Sequence, residues 1–302
     1  MIETIPYTTD AAWLQARQQD VTSTEVSALF GCNPRLTEYE LYYRKREGVA
    51  VEFEPSERVL WGTRLQEAIA RGIAEDHLWD IRPMTEYLRD PDLRMGASFD
   101  YAVGDDAILE VKNVDALVYR DGWLIDDEGD LEAPLHMEFQ AQQQLALSGR
   151  SKLYLGALIG GNRIAFATRL PDPKAIAAIK AKIAAFWKAV DGGTPPTPDY
   201  ARDAEFIARL YNYAEPGKLK DARGDEAVAV LMAHYRAAQQ AEKEAGTRKD
   251  AAKAELLTLI GDAEKVLGDG WTISAGVVAE AEISYTRKPY RMFKPSYKKE
   301  TK

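Results

Sequence analysis

The sequence predicts a mixed α/β protein, and three observations carry that reading. Stretches with a helical period alternate with stretches that change side at every residue. A tight Gly104-Asp105-Asp106 turn stands between Gly96–Val103 and Ala107–Lys112, whose small and apolar residues suit two strands of a hairpin. Helices and strands interleave to about residue 190, as expected of a sheet with helices laid against it.

Composition narrows the class of protein. At 302 residues, 46% hydrophobic and 29% charged, the chain can bury one large domain and carry an extension. No run approaches the roughly 20 apolar residues of a membrane span, and the first thirty residues lack the pattern of a secretory signal. Cys32 is the single cysteine, and His77, His136 and His234 lie far apart, so neither a disulfide nor a zinc site is expected. A cytoplasmic location follows as the expectation. The net charge of −9 argues against chain-wide attraction to nucleic acid but leaves room for a local basic groove.

Taken in order, Val21–Gly31 carries Thr22, Ser23 and Thr24, which can cap a short helix ended by Gly31. Free amides and hydroxyls at a helix start suit an anion, and Arg17 can add a bidentate phosphate contact. A plain cap beside a surface arginine fits the same residues. Thr37–Glu47 reads as a second helix. Residues 57–75 read as a longer one, with Trp61, Leu65, Ala68, Ile69 and Gly72 on one face. Gln66 sits at the edge of that face, solvated or turned into a cleft, while Glu67 points toward solvent.

Trp79–Leu93 alternates as strand, punctuated by Pro83 and Pro91. In the hairpin that follows, Glu110 and Lys112 project to one side, roughly 6–7 Å apart. Asp100 on the other arm can fold back to face them. Two carboxylates and an ammonium suit a divalent cation and activation of a water. The same Glu-x-Lys triplet recurs at Glu300-Thr301-Lys302, where nothing around it suggests a site.

Arg120–Ala133 is acidic and turn-rich and reads as a surface loop. His136–Gly149 is helical, with Leu135, Phe139, Leu145 and Ala146 on one face and Gln142 in its middle. A buried glutamine must find partners. Gln142 either ties itself to backbone or reaches an active-site group. Lys152–Ile159 and Arg163–Arg169 read as strands, and Pro171–Val190 as a helix opened by proline. Asp191–Pro198 marks a boundary by composition, between a core at 1–195 and an extension at 196–302. The extension holds a long Ala-, Glu- and Lys-rich helix over Gly224–Ile260 and a terminal hairpin from Trp271–Ala279 and Ala281–Arg287. Its tail interleaves Arg287, Lys288, Arg291, Lys294, Lys298, Lys299 and Lys302 with Tyr290, Phe293 and Tyr297. That pattern suits phosphates and bases, or a disordered soluble end.

Four blocks stand in a telling order: Trp13…Arg17…Val21-Thr22-Ser23-Thr24-Glu25-Val26, Trp61-Gly62-Thr63-Arg64-Leu65-Gln66, Asp100…Glu110-Val111-Lys112 and Gln140-Ala141-Gln142-Gln143-Gln144-Leu145. Over about residues 10–190 the chain resembles the phage lambda exonuclease/YqaJ family of recombination nucleases, within the PD-(D/E)XK superfamily. The resemblance implies a restriction-endonuclease-like core, a mixed central sheet flanked by helices, to which the residues themselves add the C-terminal helical arm and β-hairpin extension. It implies that Asp100, Glu110 and the Val111 carbonyl hold a catalytic magnesium, for which manganese can substitute. Lys112 then orients or deprotonates the attacking water, Gln142 helps to position it, and Arg17, Thr22 and Thr24 grip a 5′-terminal phosphate.

Two departures from the family pattern stand out. Ser98-Phe99-Asp100 replaces the usual Pro-Asp, and Gln66, followed by Glu67, stands where a helix glutamate is usual, which leaves open one metal or two. The implied activity is 5′→3′ digestion of linear double-stranded DNA, leaving 3′ single strands for recombination. The implied partners are a trimeric ring of copies and a single-strand annealing protein, with no membrane. A structure-specific or RecB-type single-strand nuclease, or a non-catalytic DNA-binding module, are the alternatives.

Overall fold

The computed structural model describes residues 1–7, 9–48, 56–125, 131–287 and 290–297. They divide into two units, Met1–Arg209 and Leu210–Lys302.

The first unit begins β1 (Glu3–Pro6), α1 (Asp10–Gln18), β2 (Val21–Thr22), a 3-10 turn at Val26–Phe30, α2 (Glu38–Glu47) and α3 (Glu57–His77). Next come β3 (Ile81–Pro83), β4 (Glu86–Asp90), β5 (Met95–Ala97), β6 (Tyr101–Val103), β7 (Ala107–Val114) and α4 (Ala116–Gly122). After β8 (Leu124–Ile125), β9 (Leu131–Glu132) and α5 (Leu135–Ser148), it closes with β10 (Lys152–Ile159), β11 (Arg163–Arg169), α6 (Pro173–Gly192) and α7 (Ala204–Leu210).

Two mixed sheets result. One has the order β11-β10-β7-β6-β3, with β7 and β10 parallel and the other neighbours antiparallel. The second has the order β1-β4-β5-β2, with β2 and β5 parallel. A parallel pair needs a long return, and α5 lies on the path from β7 to β10. The mixed α/β class and the β6–β7 hairpin are as the sequence predicts; Gly104 takes the left-handed conformation at the turn, with φ +51°.

β7 is covered on both sides. Ile108 joins the core formed with α5 and α6, while Leu109 and Val111 join Ile69, Ala70 and Ile73 of α3. A strand buried on both faces reads as a nearly continuous apolar run, as Ala107-Ile108-Leu109 does. The inward stripe of α3 is Ile69, Ala70, Ile73 and Ala74, not the Trp61, Ala68 and Gly72 that the wheel suggested; Trp61 is 48% exposed. The close approach of α3 to β10 sets this rotation. A Cβ at Gly156 would lie 2.4 Å from Ile73 Cδ1, so any side chain there would make the isoleucine shift. Gln66 lies seven residues before Ile73 and thus shares its side of the helix.

Three more local expectations are corrected. The segment after β2 is a 3-10 turn with Glu25 at its cap position and no capping side chain, so Thr22, Ser23 and Thr24 do not start a helix. The region 120–133 contains the end of α4 and the short β8–β9 pair. The core also runs past residue 195. Phe206 packs against Tyr39 and Tyr43, Asp203 accepts from Thr37 Oγ1, and Arg202 reaches the carbonyls of Gly31 and Asn33, so the division falls after Arg209.

The second unit holds α8 (Glu226–Ile260) and the hairpin β12 (Lys265–Gly268) and β13 (Trp271–Ser274). This hairpin lies earlier than expected; within it Trp271 folds over Gly268, where a Cβ would come within 2.2 Å of the indole. No residue of α8 is buried. Tyr235 meets Phe293 edge-on and Arg236 lies over Tyr297. Lys288, Lys298, Lys299 and Lys302 lie outside the described residues. Among the described residues, no helix is long and apolar enough to cross a membrane.

Candidate active site

Tyr101 pairs with Leu109, so the next step along the hairpin sets Asp100 beside Glu110 at its open end. Asp100 Oδ2 accepts the Val111 amide at 2.8 Å, and Oδ1 accepts Gln66 Nε2 at 2.5 Å. Glu110, 5% exposed, accepts Lys112 Nζ at 2.5 Å and Gln140 Nε2 at 2.6 Å on Oε1. Its Oε2 accepts Gln144 Nε2 at 2.8 Å. Lys112 Nζ also reaches Gln140 Oε1 at 3.3 Å. Asp100, Glu110, Lys112 and Gln66 thus converge, and α3 and α5 supply the amides that orient the two acids.

Charge in this cradle is unbalanced. Burial, and then the neighbouring Glu110 charge, push the Asp100 carboxyl up to about 7 despite Lys112 and the two hydrogen bonds. Burial works against the Lys112 ammonium, but Glu110 and Asp100 outweigh it and raise its pKa. Two acids against one ammonium leave a surplus of negative charge, and hard oxygen donors suit magnesium. Among the described residues, no three Asp, Glu, His or Cys side chains gather as a ligand set. A cation placed here would therefore find two carboxylates, Asp100 and Glu110, and no third acidic, histidine or cysteine side chain among the described residues. Gln66 faces Asp100 through its amide nitrogen, not its carbonyl oxygen.

Gln142 is elsewhere. Its Nε2 donates to the Leu170 carbonyl at 2.9 Å and its Oε1 accepts the Asp172 amide at 2.8 Å, so it clamps the link between β11 and α6. The expectation that Gln142 reaches the site gives way to the backbone tie. Gln140 and Gln144 reach Glu110 instead, because residues four apart share a helix face. That spacing is visible in the sequence, whereas Phe139 and Leu145, apolar neighbours of Gln142, belong to the face that packs into the core. Gln143 points a third way, donating to the carbonyls of Val21 and Gly96 at 2.9 and 3.0 Å, and so ties the second sheet to α5.

A second cluster gathers Arg17, Thr22 and Thr24. Arg17 Nη2 donates to Thr24 Oγ1 at 3.0 Å, and the two threonine hydroxyls are 3.2 Å apart. Glu25 Oε2 accepts the Thr22 amide and hydroxyl at 3.0 and 2.9 Å and pairs with Lys45 at 2.9 Å. Burial alone raises the Glu25 carboxyl, but Lys45, the Thr22 amide and Arg17 hold it below its ordinary value. The Arg17 guanidinium lies 4.4 Å over the Trp13 ring, and Trp13 Nε1 donates to Ser98 Oγ at 2.7 Å. Sequence reasoning missed Glu25 and Lys45 as partners, because Lys45 arrives from α2, twenty residues on.

Comparison with known proteins converges on one group. Residues 12–151 match the YqaJ-like viral recombinase domain. The chain is 31% identical over 216 residues to the uncharacterized protein YqaJ of Bacillus subtilis (strain 168), covering 69% of this chain and 66% of that protein's length. Among solved structures, an alkaline exonuclease (LHK-Exo) from Laribacter hongkongensis superposes with a TM-score of 0.50 at 18% identity, over 66% of this chain and 99% of that one. At that identity the likeness shows the fold alone, a restriction-endonuclease-like one.

Proposed function

Because this chain belongs to the YqaJ-like viral recombinase family, we propose that it is a magnesium-dependent exonuclease acting on linear double-stranded DNA. Digestion runs 5′→3′ and leaves 3′ single strands for homologous recombination. The observation that carries this reading is the pairing of two sites of opposite charge balance, an acidic cradle at Asp100 and Glu110 and a cationic pocket at Arg17, linked through Ser98, which accepts from Trp13 beneath Arg17 and from Gln144 beside Glu110. The exonuclease named among the structural likenesses supports it.

Asp100 and Glu110, with the Val111 carbonyl, hold the magnesium; manganese can take its place. When bound, such a cation would offset the negative charge carried by the phosphate oxygens and the departing oxygen as the phosphodiester is hydrolysed. Gln140 and Gln144 keep the Glu110 carboxylate aimed, and Gln66 and the Val111 amide do the same for Asp100. Lys112 orients the attacking water and adds positive charge beside the reacting phosphate. The two carboxylates favour its charged form, which supports that role over proton removal. Arg17 and Thr24 receive the 5′-terminal phosphate, while Thr22 is committed to Glu25 and shapes the pocket from beneath. A trimeric ring around the duplex and a single-strand annealing protein that takes over the 3′ strand complete the proposal.

Topology of the substrate tests it. With magnesium, linear duplex bearing 5′-phosphates should be digested and covalently closed circular duplex should survive; chelation should stop the reaction. Nicking or linearising of the closed circle would favour a structure-specific endonuclease, faster attack on single strands a RecB-type enzyme, and an inert protein a DNA-binding module.

A further inference from the structure

We propose that Ser98 is a positioning residue that joins the phosphate pocket to the hydrolytic cradle and thereby decides which phosphodiester is cut; this rests on the exonuclease reading above. Its hydroxyl accepts the Trp13 indole N–H at 2.7 Å, and Trp13 is the ring beneath the Arg17 guanidinium. Its carbonyl accepts Gln144 Nε2 at 2.9 Å, and the same nitrogen donates to Glu110 Oε2 at 2.8 Å. Three hydrogen bonds and one stacked cation therefore run unbroken from the arginine to the glutamate.

The segment that carries Ser98 is itself held firmly. Ala97, at the end of β5, is fully buried, Phe99 is 4% exposed within the core, and Asp100 is bonded to Val111 and Gln66. Arginine is a long, mobile side chain and alone seats a phosphate over a range of positions. Stacked on Trp13 and bonded to Thr24, it loses that freedom. A misplacement of about 1 Å at a reacting centre costs on the order of 100-fold in rate. A terminal phosphate seated on Arg17 thus presents one particular downstream phosphodiester to Glu110, provided that Ser98 keeps the spacing between them.

Product length tests this, together with binding. Ser98→Ala removes the hydroxyl, Trp13→Phe removes only the indole N–H, and Ser98→Thr keeps a hydroxyl. Wild type and Ser98→Thr should release 5′ products of one length from a 5′-phosphorylated duplex in magnesium. Ser98→Ala and Trp13→Phe should release mixed lengths, about 10-fold more slowly. In calcium, fluorescence anisotropy should show both variants binding that duplex within about 2-fold of wild type, a difference of a few tenths of a kcal/mol. Arg17→Ala should instead lose affinity for it. A single, unchanged product length in Ser98→Ala and Trp13→Phe overturns the proposal, as do mixed lengths from wild type. Loss of affinity as large as that of Arg17→Ala also overturns it, since Ser98 would then only build the pocket. A wild type inert on DNA ends sinks the exonuclease reading itself.

Discussion

The two clusters on either side of Ser98 are built on the same pair and end with opposite needs. In the cradle, Glu110 meets Lys112 at 2.5 Å; in the pocket, Glu25 meets Lys45 at 2.9 Å. What separates them is the third charged side chain. Asp100 joins the first pair and leaves a surplus of negative charge, whereas Arg17 joins the second and leaves a surplus of positive charge. The consequences show in the carboxyls, Asp100 pushed up to about 7 and Glu25 held down. A buried acid–base pair is thus a foundation that says little about ligand; the unmatched neighbour decides whether a cation or a phosphate fits.

Removing the charged partner from each cluster sharpens this contrast most. Lys112→Ala should slow hydrolysis of 5′-phosphorylated and 5′-hydroxyl ends alike, by about 100- to 10,000-fold, the range of a positioned catalytic group. Arg17→Ala should slow only the phosphorylated ends, by about 10- to 100-fold, as expected for one charge-assisted contact of roughly 1.5–3 kcal/mol. Initial rates on the two kinds of end separate these patterns. An equal loss on both ends for Arg17→Ala would remove it from phosphate recognition.

The raised Asp100 carboxyl makes a claim about pH. Its folded value lies above that of an unfolded aspartate, so its contribution to stability is fully present below about pH 4 and lost as pH rises through about 7. Asp100→Asn carries no such charge. In chelator, the stability of wild type relative to Asp100→Asn should therefore fall between pH 4 and 7, by at most about 4 kcal/mol, from three pKa units at 1.36 kcal/mol each. Magnesium should remove most of that fall in wild type and change Asp100→Asn little. Parallel urea titrations with and without magnesium measure it; a difference that stays flat with pH would mean that the two acids are already balanced without a cation.

Much of this was legible because β-structure announces its faces. Glu110 and Lys112 stand two apart on a strand, and the Gly104 turn sets Asp100 against them, so the hairpin could be read directly from the residues. Helices were read less well, since a wheel gives relative angles and no origin. The origin for α3 is Ile73 against Gly156, a contact 83 residues apart that no local pattern contains. The cluster around Arg17 is only partly legible for a similar reason: Thr22, Thr24 and Arg17 are near in sequence, but Lys45 and Ser98 arrive from α2 and the end of β5.

Gln142 and Gln144 offer the finest test, being two residues apart on one helix with side chains in different places. Gln142→Leu leaves the Leu170 carbonyl and the Asp172 amide without their partner at the start of α6. Unpaired, partly buried groups of this kind cost about 1–3 kcal/mol, which at this chain length lowers the melting temperature by a few degrees. Hydrolysis per folded molecule should stay close to wild type, because no bond to Glu110 is touched. Gln144→Leu deletes a donor to Glu110 and should slow hydrolysis at a similar stability cost. Should Gln142→Leu prove the slower enzyme at matched stability, α5 turns differently in the working protein, and Gln142, not Gln144, faces the cation.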